Sequence, residues 1–279
     1  MTQESYNARI IVNYMNESIE ALFKDISTFP AIIGVPSFNR SEILTQEFQV
    51  PFKLYNDDIT HKISFIYNSR NDIIKFGGSM ASRLVDMYGV KGTKYLTNFP
   101  TLIYAENIED TILGENQILV YGLSRPKPLA LMSPELLLDI ARIPSPSVEG
   151  PKDALGNYLP IISNDEKSVE ALFKHVEVFP AHIYCSPEEF IKKGPIDFIL
   201  YFRFDKSEDK RVSEKVYNMR LNDSVVNTLM HLLDAANHDK FIGKHVSVYA
   251  RYMEESKRLV ICGMGPYEQY ERRSEIITV

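Results

Sequence analysis

Residues 18 to 33 read SIEALFKDISTFPAII, and residues 168 to 183 read SVEALFKHVEVFPAHI. Ten of the sixteen positions are identical, and the two stretches start 150 residues apart. Similarity at a fixed spacing is the sequence signature of a repeated structural unit. The repetition therefore predicts a tandem duplication of one domain, in which each copy serves as a control on the other.

The similarity extends beyond these two stretches. With an offset of 145, SMASRLVDMY at 79–88 aligns with SVVNTLMHLL at 224–233, and TLIYA at 101–105 aligns with VSVYA at 246–250. These alignments contain no gap, which leaves little room for different folds. We therefore expect the two copies to be homologous domains with equivalent side chains at aligned positions.

A proline-rich segment separates the two copies. Seven of the fifteen prolines lie in residues 126–160, and proline interrupts both helices and central strands. The sequence predicts a first copy at 1–125, a connector at 126–160 and a second copy at 161–279. Within the connector, Ser133 is expected to cap a short helix.

Each copy has the same predicted order of elements. A helix at 18–27 or 168–177 carries an apolar stripe, and Phe-Pro-Ala then leads into an extended segment. Alternating apolar residues predict two further strands, a second helix and two final strands. The expected fold class is α+β, with an α-β-β-β-α-β-β domain given twice and largely antiparallel sheets. A further strand before the first helix is expected at 8–14.

Composition describes an ordinary globular chain, with 44% hydrophobic and 24% charged residues. No apolar run approaches the roughly 20 residues that span a bilayer, and the first residues do not read as a signal peptide. Cys185 and Cys262 lie in apolar runs and are interpreted as small buried residues. We therefore expect a cytoplasmic protein that does not contact membranes.

The sequence offers little that is typical of an enzyme. It has no GxxxxGK[ST], GxSxG, HExxH or CxxC pattern. His231, His238 and His245 recur every seven residues, but they fall in a predicted helix, turn and strand. Gly77-Gly78-Ser79 opens a helix, yet Asn222-Asp223-Ser224 aligns with it and indicates a helix cap rather than a phosphate site. We expect no catalytic residues, no cofactor and no metal.

One enzymatic alternative stays open, a metal-dependent nuclease. Asp197 in Pro195-Ile196-Asp197 is followed by Glu208-Asp209-Lys210. Two carboxylates and a lysine in this order can hold a divalent metal and orient an attacking water. The match is loose, because the second group falls in a predicted hairpin turn.

A Tyr-x-Arg pattern points to a different function. Tyr201 and Arg203 lie on one predicted strand, and Tyr249 and Arg251 lie on another. Residues two apart face the same side of a strand, so each strand presents a tyrosine beside an arginine. Aromatic rings that stack on bases, with arginines at phosphates, hold single-stranded nucleic acid. The alternative is that the tyrosines fill the core and the arginines extend along its edge.

The order of elements, given twice in a chain with a net charge of -6, resembles the DNA sliding clamps. The resemblance implies helices that face DNA, where Arg83 on the second helix is the candidate contact. The β-β-β-α-β-β portion alone also resembles the OB-fold, another DNA-binding module. Neither resemblance rests on a sequence motif.

We therefore predict a non-enzymatic accessory protein that handles DNA in replication or repair, as a clamp-like or tandem OB-like scaffold. The acidic chain argues against indiscriminate coating of nucleic acid, but it allows a local basic strip. The main alternative is a structural protein that uses its pseudo-symmetric domains to build an oligomer, for example in a virion. Protein partners are expected in either case.

Overall fold

A computed structural model gives the fold of this chain. It describes residues 10–13, 15–40, 46–55, 58–67, 78–109, 116–126, 160–163, 165–190, 197–205, 209, 211–212 and 215–267. The chain forms two compact units. The first unit is built around residues 25–169, and the second combines residues 7–24 with residues 170–279.

Helices in the described residues are short. The α-helices are α1 (Asn16–Phe23), α2 (Gly78–Tyr88), α3 (Glu166–Leu172) and α4 (Asp223–Leu232). The 3₁₀ helices are Thr93–Tyr95, Phe173–His175 and His238–Phe241. In this part of the chain, every helix is too short or too polar to cross a lipid bilayer.

Strands account for more of the described residues than helices do. They are β1 (Ile11–Val12), β2 (Thr28–Ile33), β3 (Ser37–Arg40), β4 (Gln46–Leu54), β5 (Thr60–Tyr67), β6 (Pro100–Glu109), β7 (Asn116–Ser124), β8 (Ile161–Ile162), β9 (Glu177–Phe190), β10 (Asp197–Phe204), β11 (Val216–Asn222), β12 (His245–Met253) and β13 (Arg258–Pro266). The predicted mixture of helices with mostly antiparallel strands is confirmed.

Each unit contains one curled, half-barrel sheet. In the first unit the strand order is β3-β4-β2-β6-β7-β8, with β5 on the free side of β4. In the second unit the order is β1-β13-β12-β9-β10-β11. The pairings in both sheets are antiparallel. Read from its short end strand, the first sheet runs β8-β7-β6-β2-β4 and the second runs β1-β13-β12-β9-β10.

The core of the second unit lies on one face of its sheet. Alternate residues of β10 are buried, as Phe198, Leu200, Phe202 and Phe204 show. The helix α4 packs on this face, with Leu229 fully buried among these side chains. Strict alternation along β10 follows from the period of a strand, and it leaves the intervening residues on the opposite face.

The outermost strand of each sheet comes from an unexpected part of the chain. In the second unit β1 pairs with β13, and Ile11 lies opposite Met264. In the first unit β8 pairs with β7, and Ile161 lies opposite Leu123. Each sheet therefore ends on a short strand that belongs, in sequence, to the other copy.

Backbone hydrogen bonds extend both pairings by one residue. Asn13 N donates to Cys262 O at 2.8 Å, and Ser163 N donates to Tyr121 O at 2.7 Å. Each bond satisfies main-chain groups that would otherwise end a buried strand unpaired. The two bonds occur at positions that align in the sequence, 150 residues apart on the donor side.

The division into units differs from the boundaries at 125 and 161 that the repeat predicts. The physical reason is the pairing just described, which places β1 and α1 with the second unit and β8 with the first. The connector at 126–159, including the expected helix after Ser133, lies outside the described residues. That one ancestral domain gave rise to both units stays a prediction.

The first helix of each copy ends earlier than the sequence suggests. The stripe predicts helices at 18–27 and 168–177, whereas α1 ends at Phe23 and α3 ends at Leu172. The Phe-Pro-Ala segments lie in β2 and β9 instead. Proline fixes φ near −65° and favours extended backbone in the residue before it, which draws these residues into the sheet. Phe179 is buried as expected, and Phe29 is half-buried.

Candidate nucleic-acid interface

The face of the second sheet opposite its core carries the residues of the Tyr-x-Arg pattern on β10. Tyr201 and Arg203 alternate with the buried Leu200, Phe202 and Phe204, and both are half-buried. Their position on the face away from the core follows from the strand period. This pair therefore lies where the sequence predicts, next to each other on one side of one strand.

A third residue on this face completes a stacked pair. The guanidinium carbon of Arg203 lies 4.0 Å from the ring centroid of Tyr184 on the neighbouring strand β9. Tyr184 is 47% exposed. The Nε atom of Arg203 is buried and has no hydrogen-bond partner among the described residues. Arginine stacked on an exposed tyrosine forms a cationic aromatic surface, which suits a nucleobase or a phosphate.

An irregularity in β9 places Tyr184 on this face. Tyr201 lies opposite Cys185 and Phe202 lies opposite Ile183, so Tyr184 has no residue directly opposite it. Such β-bulges redirect side chains and are common beside functional sites. Sequence reasoning missed Tyr184, because a bulge in one strand can be recognised only from the register of its partner.

The edge strand β11 extends the same face. Asn218 lies opposite Tyr201 and Arg220 lies opposite Ile199, and both β11 side chains are exposed. Residues directly opposite each other in an antiparallel pair share one face. We call the set Tyr184, Tyr201, Arg203, Asn218 and Arg220 the outer face of the second sheet.

Two histidines and an aspartate border the outer face. His182 lies opposite Arg203 on one side and opposite His245 on the other. The Nδ1 atom of His182 is 2.9 Å from Asp205 Oδ1, and the Nδ1 atom of His245 is 3.5 Å from Asp205 Oδ2. Within the described residues, no three His, Cys, Asp or Glu side chains are arranged to hold a metal ion, and this trio is no exception.

The second Tyr-x-Arg pair lies in a different environment. Tyr249 is 1% exposed, and its ring meets Phe173 edge to face at 5.1 Å between centroids. Arg251 donates from Nη1 to Ala21 O at 3.0 Å and from Nη2 to His175 O at 2.7 Å. A buried tyrosine cannot stack on a base without rearrangement, and these two bonds give Arg251 a structural role at the ends of two helical segments.

The remaining predicted contact, Arg83, lies in the first unit. It is exposed on α2, three residues before the exposed Asp86. In α1 the exposed charged residues are Glu17 and Glu20, with Lys24 directly after the helix. These helix surfaces carry mixed charge, whereas a clamp would be expected to present unpaired basic residues to DNA.

The aligned position in the first unit explains why the two units differ. Glu106 occupies the place of Arg251, and its Oε2 accepts a hydrogen bond from Tyr121 Oη at 2.7 Å. Burial and this contact with a carboxylate raise the pKa of Tyr121 above its usual range. The Tyr104 hydroxyl lies 3.1 Å from Ser124 Oγ. The first unit therefore uses these side chains internally.

Of the residues in the nuclease alternative, the structure describes the surroundings of Asp209. Arg211 holds the Asp209 carboxylate with a contact of 2.6 Å, and this hydrogen bond lowers the pKa of Asp209. Arg211 also donates to both carboxylate oxygens of Glu177, at 2.7 and 2.6 Å. Glu208 and Lys210 lie outside the described residues, as does Gly77 of the Gly77-Gly78-Ser79 stretch. Asp209 is thus engaged by an arginine that anchors the turn.

Both cysteines are free thiols. Cys262 is buried, and burial raises the pKa of its thiol to about 12, which makes it a poor nucleophile. Cys185 is half-buried. The interpretation as a buried residue holds for Cys262, whereas Cys185 is less buried than the sequence predicts.

A few large apolar side chains are exposed in the first unit. Val35, Phe38 and Ile59 are 64%, 54% and 63% exposed. Phe38 also stacks on the buried Phe48, with 4.7 Å between ring centroids. Scattered exposure of this kind is common, but aromatic residues are enriched at protein interfaces.

The chain matches no protein-family model, and no curated protein has significant sequence similarity to it.

Proposed function

We propose that this chain is a non-enzymatic accessory protein that binds single-stranded DNA on the outer face of its second sheet. The observation that carries the proposal is the stack of Arg203 on the exposed ring of Tyr184, 4.0 Å apart, beside Tyr201. Aromatic platforms of this kind bind bases with little sequence preference, at about 1–3 kcal/mol per stacked base. Arginine adds contacts to phosphate and to the ring.

The proposal favours an OB-like use of the sheet over clamp-like use of the helices. A partly open, curled sheet that binds nucleic acid on one face is the OB mode. The mixed charges on α1 and α2 argue against a DNA-lined ring. Within this proposal the two units arose by duplication, and only the second kept the tyrosines of the outer face, since Gly34 and Pro51 stand 150 residues before Tyr184 and Tyr201. We also infer a cytoplasmic location, which rests on the use of cysteine.

A test is fluorescence anisotropy with a labelled oligothymidine of about 20 nucleotides, at salt concentrations from about 50 to 200 mM. Arg203→Ala and Tyr184→Ala should each weaken binding by about ten-fold. The matched control is Arg258→Ala, which removes a 67% exposed arginine of β13 that pairs with Glu17 at 3.5 Å. This control should change the affinity for DNA less than two-fold, because Arg258 lies off the outer face and an exposed ion pair contributes little to stability.

Two results would overturn the proposal. One is the absence of binding even near 50 mM salt, where phosphate contacts are strongest. The other is an equal loss of affinity in Arg203→Ala and Arg258→Ala, which would mean that net charge alone attracts the DNA. Thermal melts of each variant separate a binding defect from a folding defect.

The second candidate function is assembly into an oligomer. The exposed Val35, Phe38 and Ile59 favour it, because burying them would remove apolar surface from water. Mass photometry across a range of concentrations decides between the two. A strict monomer that binds no DNA would contradict both candidates.

A further inference from the structure

The border of the outer face carries ionisable groups that the proposed function does not use. His182 and His245 lie side by side on β9 and β12, and His182 lies directly opposite Arg203. Their side chains are 36% and 59% exposed. These rings therefore reach solvent on the side of the sheet where the proposal places DNA.

One carboxylate serves both histidines. Asp205 follows the last residue of β10, and its two oxygens lie 2.9 Å from His182 Nδ1 and 3.5 Å from His245 Nδ1. With both rings neutral, the trio carries one negative charge next to Arg203. With both rings protonated, it carries one positive charge. Protonation therefore reverses the sign of the trio's own net charge and makes the border of the face more positive.

The other groups around the trio do not compensate this change. From β10 the neighbouring charge is Arg203, and from the residue before β12 it is the exposed Lys244. From the end of β13, Tyr267 packs on His245 with 5.3 Å between ring centroids. From β11, the residue opposite Arg203 is the apolar Val216. Among these described neighbours, Asp205 alone is acidic.

Histidine is the side chain whose charge ordinarily changes between pH 5 and 8. In the protonated ring both nitrogens donate hydrogen bonds. Because Nδ1 of His182 and of His245 faces Asp205, each protonated ring would have its Nε2–H available for a phosphate oxygen.

We propose that His182 and His245 are additional phosphate contacts that form when their rings are protonated, so that DNA binding tightens as the pH falls. This inference rests on the proposed function, since the two histidines extend the same face. It adds a regulatory property, the coupling of DNA affinity to proton uptake at one trio. Asp205 determines how strongly DNA affinity depends on proton uptake, because its negative charge repels phosphate until both rings are protonated.

The experiment measures the affinity for a labelled oligothymidine between pH 8 and pH 5.5 at constant salt. Thymine does not titrate in this range, so the protein alone supplies the change. The unmodified chain should bind roughly ten-fold more tightly at pH 5.5, and two added phosphate contacts on a single strand should steepen the salt dependence by about 1.4 units. The double variant His182→Gln with His245→Gln should change less than two-fold.

Two further variants keep the test sharp. His231→Gln removes an exposed histidine on α4 in the same unit and should leave the pH response intact. Asp205→Asn removes the opposing charge and should tighten binding at pH 8. If the double variant fails to fold, His245→Gln alone, at the more exposed position, should still lose about half of the response on a logarithmic scale.

The outcomes separate the two claims. Binding that is present but independent of pH, or equally dependent on pH in the double variant, overturns the role of the histidines and leaves the proposed function standing. No binding at any pH, at about 50 mM salt, overturns both. Circular dichroism at each pH excludes a change of fold as the cause.

Discussion

The short strands β1 in the second unit and β8 in the first are followed by the same kind of backbone hydrogen bond, but the residues that make it differ. In both, the backbone N–H of the residue after the short strand donates to a carbonyl of the neighbouring strand. The distance is 2.8 Å for Asn13, which donates to β13, and 2.7 Å for Ser163, which donates to β7. In both, that residue's side-chain oxygen lies 3.3 Å from the backbone N of the residue two positions on. Backbone geometry is thus shared where the sequence repeats only loosely.

The side chains at the aligned positions 106 and 251 diverge. Arg251 donates to the carbonyl oxygens of Ala21 and His175, which satisfies backbone acceptors at the ends of α1 and of the 3₁₀ helix Phe173–His175. Glu106 accepts from Tyr121 instead. The side chain at this aligned position is therefore an acceptor in the first unit and a double donor in the second.

The largest loss of unfolding free energy is expected when the apolar side chains that pack α1 and the 3₁₀ helix Phe173–His175 on the second sheet are truncated. Phe173→Ala and Phe23→Ala should each cost about 3–5 kcal/mol, because Phe173 is fully buried and Phe23 is 5% exposed. Chemical unfolding followed by circular dichroism measures the loss. A loss of unfolding free energy below about 1 kcal/mol at both positions would show that Phe23 and Phe173 are not part of the core.

A smaller effect is expected where β13 approaches Phe173 and β1. A Cβ on Gly263 would lie 2.4 Å from Ile11 O and 2.8 Å from the Phe173 ring. Gly263→Ala should therefore destabilise by about 1–3 kcal/mol, through displacement of β1 or of the ring.

The control for Gly263 is Gly92→Ala, because no atom lies within 4 Å of the corresponding Cβ and the backbone there is extended. Both variants are measured by thermal unfolding. Equal melting temperatures for the two would contradict the close approach of β1 to β13.

The smallest expected difference in unfolding free energy is between a variant at position 251 and a variant at the aligned position 106. Arg251→Met keeps an apolar stem but loses both hydrogen bonds, and should cost about 1.5–3 kcal/mol, since charged donors to buried carbonyls are the stronger class. Glu106→Gln keeps an acceptor for Tyr121 and should cost less than about 1 kcal/mol. Urea unfolding of the two variants measures the difference. A larger loss for Glu106→Gln would reverse the comparison.

Much of the fold could be predicted from the sequence, because alternation and helical stripes report directly on burial. The alternation in IDFILYFRF at 196–204 and in KHVSVYARYM at 244–253 predicts two strands, and β10 and β12 each lie within one residue of these bounds. The pairing of β1 with β13, and of β8 with β7, could not be predicted. β1 has two residues, and nothing in Ile11–Val12 distinguishes β13 from β7 as its partner.

The candidate site could be predicted in part. A two-residue spacing on a strand predicts that Tyr201 and Arg203 share a face, and the structure places both on the face of β10 away from the core. The same spacing at Tyr249 and Arg251 gave no open surface, since α1 from a distant segment covers that part of the sheet. Spacing fixes which residues share a face, but the elements that cover the face come from tertiary structure.

The pairing of β1 with β13 also constrains the order of events during synthesis. Asn13 Nδ2 donates to Ile261 O across a separation of 248 residues. At roughly 5–20 residues per second, a ribosome needs on the order of 12 to 50 seconds to make that span. Throughout this interval the nascent chain carries Ile11, Leu22 and Phe23 without their final partner strand. The first sheet can pair β8 with β7 as soon as β8 has emerged, whereas β1 can pair with β13 only after β13 has emerged.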